Sequence, residues 1–156
     1  MIQRIQSIFL VLVSVAMLVC VFSPIWSKVA PGEAVYLDAF TLDHTRRGSE
    51  PTSTSVFYIA LLAGLAAIVA LVSLVQYRNR FRQLILGLVN SLIMAALLGC
   101  TAYASVYQGA VLFSPGEKGT YGVGFYAVIA GLICNVVANR FIRQDEALVR
   151  STDRMR

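Results

Sequence analysis

The chain has 156 residues, of which 58% are hydrophobic and 13% charged, and its formal net charge is +5. Soluble domains are typically about half apolar and about a quarter charged, so this composition excludes an ordinary water-soluble domain, which would avoid large exposed apolar patches. The length allows a single domain, residues 1–156. The basic residues gather in short segments beside apolar runs without a recognition motif, which argues against nucleic acid as a partner.

Four apolar runs without any charged residue follow one another along the chain. At a rise of about 1.5 Å per residue, a helix of about 18 or more such residues can cross a hydrocarbon core of about 30 Å. We therefore predict an all-α membrane protein, a bundle of four transmembrane helices followed by a cytoplasmic amphipathic helical tail, residues 141–156. The predicted spans are about 5–26, 56–76, 84–106 and 122–140.

Two segments between the runs contain short stretches that favour strands. Ala34–Asp43 is rich in strand-forming residues and too short to span, and Gly109–Phe113 is similar. One hypothesis is that these two stretches pair into a small outer β element that covers the bundle. The alternative is that both are loops resting on the lipid headgroups.

Small residues at four-residue spacing mark the helix faces that can approach closely in a bilayer. Three asparagines, Asn90, Asn135 and Asn139, are the most polar side chains in or at the ends of the spans. A buried amide needs a partner in hydrocarbon, so we expect hydrogen bonds between helices, with a solute-binding polar notch as the alternative. The predicted packing positions are Gly64, Gly87, Ser91, Ala95, Gly99, Ala127, Gly131 and Asn135.

The positive charges predict the orientation. Nine Lys and Arg residues lie at the termini and in the short central loop, against four in the two longer loops. Positive charge in short loops stays in the cytoplasm, so both termini are predicted there. The basic residues predicted to contact headgroups or a partner are Arg4, Arg78, Arg80, Arg82, Arg140, Arg143, Arg150 and Arg154.

The sequence offers no recognisable catalytic chemistry. Ionisable groups inside spans are the usual mark of proton relays and ion coupling, and the four runs contain none. The acids and His44 outside the runs form neither a catalytic constellation nor a metal-ligand spacing. We therefore predict that the protein is not an enzyme and has no catalytic, cofactor-binding or metal site.

The two ends of the chain resemble a known family. The opening Met1–Gln6, the close Ala138–Arg156 and the central Tyr77-Arg78-Asn79-Arg80 with Gln83 are similar to an uncharacterised four-helix membrane family of the Bacteroidetes, domain of unknown function 4293. The resemblance covers the whole length. It implies the inner membrane of a two-membrane envelope and brings no activity with it.

Together these features favour a non-catalytic role in the bilayer. The predicted function is that of a scaffold, assembly factor or accessory subunit of a bacterial inner-membrane complex, with a membrane protein or a second copy of the chain as partner. The alternative is a passive transporter or channel for a neutral or apolar solute.

Overall fold

A computed structural model describes residues 2–48, 50–76, 80–109 and 119–153, with side chains for 6–48, 50–76, 81–109 and 119–145. In these ranges the chain forms four α-helices, one π-helical segment and five strands. In chain order they are α1 (Ile2–Phe22), β1 (Trp26–Ala30), β2 (Glu33–Leu37), β3 (Thr41–Arg46), β4 (Thr52–Ser55), α2 (Tyr58–Val75), α3 (Arg80–Tyr103), the π-helical segment (Ala104–Gly109), β5 (Thr120–Tyr121) and α4 (Val123–Asp153).

The predicted all-α bundle of four transmembrane helices is wrong. The strands form one antiparallel sheet in the order β4-β3-β2-β1-β5. Within the described residues, three helical segments are long and apolar enough to cross a membrane: Tyr58–Val75, Phe81–Gly109 and Val123–Asp145. The described apolar part of α1, Gln6–Phe22, is shorter. Hydropathy identifies long apolar runs, but it does not detect strands whose pairing depends on distant partners.

The helix ends differ from the predicted spans. Helix α1 ends at Phe22 rather than near residue 26, because Pro24 cannot continue a helix and also disfavours helical geometry in the residue before it. Trp26 instead begins β1. Helix α4 continues without interruption from Val123 to Asp153, so the predicted helical tail is, through Asp153, a continuation of that helix.

The helices pack side by side, α1 against α2 and α4, and α3 against α2 and α4. Their buried faces carry small or flexible side chains such as Ala63, Ala66 and Met94. Many of the large apolar residues point outward, and Leu92 is 72% exposed. Outward apolar side chains are suited to contact with lipid, because no water has to be excluded there.

The sheet covers the helix ends at which the strands connect. The β1–β2 hairpin turns at Pro31-Gly32, where Gly32 has φ of +97°, a conformation that L side chains rarely adopt. Alternate strand residues face opposite sides, so Val35 and Leu37 are fully buried while Tyr36 is exposed. The sheet and the helices share one apolar core.

Backbone hydrogen bonds connect the sheet to the helices. The Ala60 N–H in α2 donates to the Ala39 carbonyl (3.1 Å), and the Gly124 N–H in α4 donates to the Pro24 carbonyl (3.0 Å). Ala34–Asp43, for which one hypothesis was pairing with Gly109–Phe113, contributes to β2 and β3, which pair with each other. Residues 110–113 lie outside the described residues.

Candidate functional site

A cluster of polar side chains joins α3 to α4. Asn90 Nδ2 donates to Asn135 Oδ1 (3.3 Å), and Asn135 Nδ2 donates to Ser91 Oγ (2.8 Å) and to the Gly87 carbonyl (3.0 Å). Asn90 and Asn135 are 1% and 0% exposed. The hydrogen bond between helices that the sequence led us to expect is therefore present, and it gives partners to the Asn90 Nδ2 and to both polar atoms of the Asn135 amide, which would otherwise be costly to bury.

Asn139 lies one turn further along α4 and rests on Gly87. A Cβ atom at Gly87 would overlap Asn139 Oδ1 and would lie 2.6 Å from its Cγ. Asn139 is 6% exposed, and its Oδ1 has no hydrogen-bond partner among the described residues. Glycine at position 87 is therefore what allows this amide to lie directly against α3.

Some of the predicted packing residues lie where two helices approach closely, and others do not. A Cβ at Gly131 would lie 2.9 Å from the Cε atoms of both Met17 and Met94, so α1 and α3 approach α4 closely there. A Cβ at Gly64 or Gly99 would meet no atom within 4 Å. Ala95 is exposed and Ala127 is half-buried.

The predicted packing residues of α3 form a stripe (Gly87, Ser91, Ala95 and Gly99) that leaves the interface with α4 for a geometric reason. Four residues turn a helix by about 400°, so each four-residue step shifts the stripe by about 40°. Gly87 and Ser91 face α4 through the contacts above, whereas Ala95 and Gly99, the third and fourth members of the stripe, are exposed. Four-residue spacing therefore indicates a shared face over only about two turns.

A groove of about 480 Å³ lies between α3 and α4 beside this amide cluster. We call it the α3–α4 groove. Its apolar side chains are Leu88 and Val136, both exposed, and Ser91 and Asn139 supply polar groups. Its other lining residues are Arg140, Arg143 and Gln144, all of them exposed.

The structure brings two of the predicted basic residues together, Arg140 and Arg143. Arg82 is exposed at the start of α3. Arg78 and Arg154 lie outside the described residues, as do the side chains of Arg4, Arg80 and Arg150. Sequence reasoning missed Leu88, Val136 and Gln144 as groove residues. The available signal was the spacing of Val136, Arg140, Arg143 and Gln144, which places them along one helix face.

At the other end of the molecule, β4 is an exposed edge of the sheet. Its four residues, Thr-Ser-Thr-Ser, are all exposed, and within the described ranges it pairs with β3 alone. The Val56 N–H donates to the Phe40 carbonyl (2.9 Å) in continuation of the β3–β4 register. Hydrogen-bonded and non-hydrogen-bonded residue pairs alternate along antiparallel strands. Since Val56 belongs to a hydrogen-bonded pair, Ser55 and Ser53, which lie one and three residues before it, belong to non-hydrogen-bonded pairs. Their backbone N–H and C=O groups therefore point away from β3.

Two exposed aromatic rings lie next to this edge. Phe40 and Phe57 are 44% and 56% exposed, and their ring centroids are 6.2 Å apart. We use the name edge surface for β4 together with Phe40 and Phe57. It combines unpaired backbone groups with an apolar contact area.

An ion pair joins two neighbouring strands of the sheet. Arg46 Nε lies 2.8 Å from Glu33 Oε1 across β2 and β3. Burial raises the pKa of the Asp38 carboxyl above its usual range, and the nearby Asp43 carboxylate raises it further. In the part of the chain that the structure describes, no three His, Cys, Asp or Glu residues lie close enough together to hold a metal ion.

The fold combines apolar helices of spanning length with a sheet over one end and an arginine-lined groove. These are the features of a small membrane protein. The chain belongs to the family described as Domain of unknown function (DUF4293), whose model matches residues 2–155. A search of curated proteins found no significant match.

Proposed function

We propose that the protein is a non-catalytic accessory or assembly subunit of a bacterial inner-membrane complex, and that its edge surface binds an extended segment of a partner membrane protein. The observation that carries the proposal is the exposed, uncharged strand β4. Edge strands present unpaired N–H and C=O groups on which another strand can form.

The composition of β4 supports pairing with a partner. Many edge strands are protected by lysine, by an inward-pointing charge or by proline. β4 contains none of these, and Pro51 precedes its first residue. A partner strand would hydrogen-bond to Ser53 and Ser55, and main-chain bonds of this kind supply affinity in strand addition.

The aromatic pair supports an apolar partner side chain beside that strand. Phe40 precedes β3 and Phe57 precedes α2, so both rings lie where the sheet meets the helices. Aromatic residues are enriched at protein interfaces because they bury a large area with few rotatable bonds. The proposed partner segment is therefore extended and carries at least one apolar residue that contacts these rings.

We further propose that the sheet faces the periplasm and that both termini are cytoplasmic. In the sequence, four basic residues lie in the two longer loops, which are the segments that contain the five strands, and nine lie at the termini and in the short central loop. This asymmetry agrees with the retention of positive charge in the cytoplasm. The edge surface would then meet the periplasmic part of a partner.

Substitution of Ser53 by proline tests the edge. Proline removes the outward N–H donor and is tolerated on edge strands when that group faces away from the sheet. Ser53→Thr is the matched control, because it retains the donor. With a photoreactive residue at Thr52 in intact cells, we expect one reproducible crosslinked partner for the parent chain and Ser53→Thr, and its loss in Ser53→Pro.

The thermal unfolding temperature in mild detergent shows whether both variants remain folded. Equal crosslinking of Ser53→Pro and the parent would contradict pairing at this edge. No reproducible crosslinked protein at any β4 position would contradict the proposed function.

Passive transport gains no specific support from the described residues. Asn90 and Asn135, the buried amides considered for a solute notch, hydrogen-bond to each other across α3 and α4. That arrangement favours a role in helix association.

A further inference from the structure

We propose that the α3–α4 groove binds one anionic phospholipid, with its phosphate at Arg140 and Arg143 and an acyl chain along Leu88 and Val136. These four residues line a single groove of about 480 Å³. The groove lies at the end of α4 remote from the sheet, so this binding site is separate from the edge surface.

The position of the arginines along α4 matches the depth of lipid phosphates. The helix begins beside the sheet at Val123, and Arg140 and Arg143 follow it by 17 and 20 residues. At about 1.5 Å per residue these distances are about 26 and 30 Å. A hydrocarbon core is about 30 Å thick, so the guanidinium groups reach the opposite headgroup layer when α4 spans the membrane.

The apolar wall lies on the hydrocarbon side of the arginines. Val136 is one turn before Arg140, and Leu88 faces the same groove from α3. Their side chains are 55% and 49% exposed. An acyl chain can cover both of these apolar side chains, whereas a free anion would leave this part of the groove empty.

The charge of the groove selects a negative headgroup. Its lining includes two arginines and no acidic residue. Guanidinium groups bind phosphate through paired hydrogen bonds, and basic pockets between transmembrane helices on the cytoplasmic side are known sites for anionic headgroups. Gln144 at the same end of the groove adds amide hydrogen-bond donors for headgroup oxygens.

The amide cluster gives the groove a defined shape. Asn135 connects α4 to Ser91 and Gly87, and Asn139 lies against Gly87 on the floor of the groove. Because these contacts hold the two helices together, the lipid would enter a preformed site and would lose little affinity to reorganisation.

Native mass spectrometry of the full chain, released from defined detergent micelles, tests this proposal. The probes are phosphatidylglycerol, phosphatidylcholine and inorganic phosphate at matched concentration. The test variant is the double substitution Arg140→Gln and Arg143→Gln. The matched control is Arg46→Gln with Arg47→Gln, which removes the same charge from exposed positions at the sheet end.

We expect the parent chain and the control to retain one phosphatidylglycerol and to bind it more tightly than phosphatidylcholine. The test variant should lose roughly tenfold or more in affinity for phosphatidylglycerol. A second variant, Val136→Trp, keeps both arginines and fills the apolar part of the groove, so it should also release the lipid. Unfolding temperatures in phosphatidylcholine show that each variant is folded.

Three results would overturn the proposal. The first is equal affinity for the two lipids, which would show that charge does not select the ligand. The second is unchanged binding in the Arg140/Arg143 variant, which would place the lipid elsewhere. The third is displacement of phosphatidylglycerol by inorganic phosphate at an equal concentration, which would show a simple anion site.

Discussion

Gly87 and Gly99 lie on the same helix at positions three four-residue steps apart, and they have different surroundings. A Cβ at Gly87 would overlap the amide of Asn139, whereas a Cβ at Gly99 would meet nothing within 4 Å. The first glycine permits a contact between helices that an added methyl group would prevent. The second lies on the exposed side of α3.

Replacing Gly87 by alanine should therefore destabilise the protein. Overpacking of a tight contact typically costs about 1–3 kcal/mol, and Asn139 is buried and cannot move away freely. We expect a lower midpoint of thermal unfolding in detergent. We also expect a weaker link between Asn135 and the Gly87 carbonyl, visible as a changed side-chain amide resonance of Asn135.

Gly99→Ala is the matched control. In an exposed helix interior, alanine is favoured over glycine by up to about 1 kcal/mol, so this variant should be neutral or slightly more stable. If Gly87→Ala were as stable as Gly99→Ala, the close approach of Asn139 to α3 would be incorrect.

Trp26, the first residue of β1, packs against two separate segments of the chain. Its ring is 5% exposed and lies so close to the backbone of Gly109 and Gly119 that a Cβ at either glycine would overlap it. One glycine ends the π-helical segment and the other precedes β5. A single side chain of the sheet thus contacts the chain on both sides of residues 110–118.

Trp26→Ala should loosen this junction. Removing a buried tryptophan costs about 3–5 kcal/mol, and the short pairing of Trp26 and Ser27 with β5 would lose its support. We expect faster backbone amide exchange at Thr120 and Tyr121 and a lower unfolding temperature. Tyr36→Ala, on the exposed face of β2, should change neither, and equal effects of the two substitutions would contradict the role assigned to Trp26.

The whole molecule is polarised along the helices. The sheet lies at one end, and the exposed residues Arg140 and Arg143 lie near the opposite end. If the sheet faces the periplasm, as proposed, the membrane orients the edge surface and the α3–α4 groove toward opposite compartments. Partner binding and lipid binding would then occur at opposite surfaces of the bilayer.

Cysteine labelling in intact cells tests this orientation. In a background lacking Cys20, Cys100 and Cys134, a membrane-impermeant thiol reagent should modify Glu50→Cys, which is exposed beside the sheet. It should modify Ser151→Cys only after the inner membrane is permeabilised. The reverse pattern would place the sheet in the cytoplasm and contradict the charge-based prediction.

Much of the helical layer could be predicted from local composition. The charge-free runs coincide with α2 and with most of α3 and α4, and the need of Asn90 and Asn135 for partners indicated a hydrogen bond between helices. The sheet could not be predicted in the same way. Its strands are two to six residues long, and β1 pairs with β5 more than 90 residues away.

The sequence alone determines the membrane character of the chain, because each side chain contributes its own free energy of transfer to hydrocarbon to a sum over a short segment. Family membership likewise follows from the order of the residues. The sheet, the Asn139–Gly87 contact and the α3–α4 groove depend on which distant residues meet and on the rotation of each helix about its axis. Only the tertiary structure determines these three features, since a sum over one short segment carries no information about its distance from another segment.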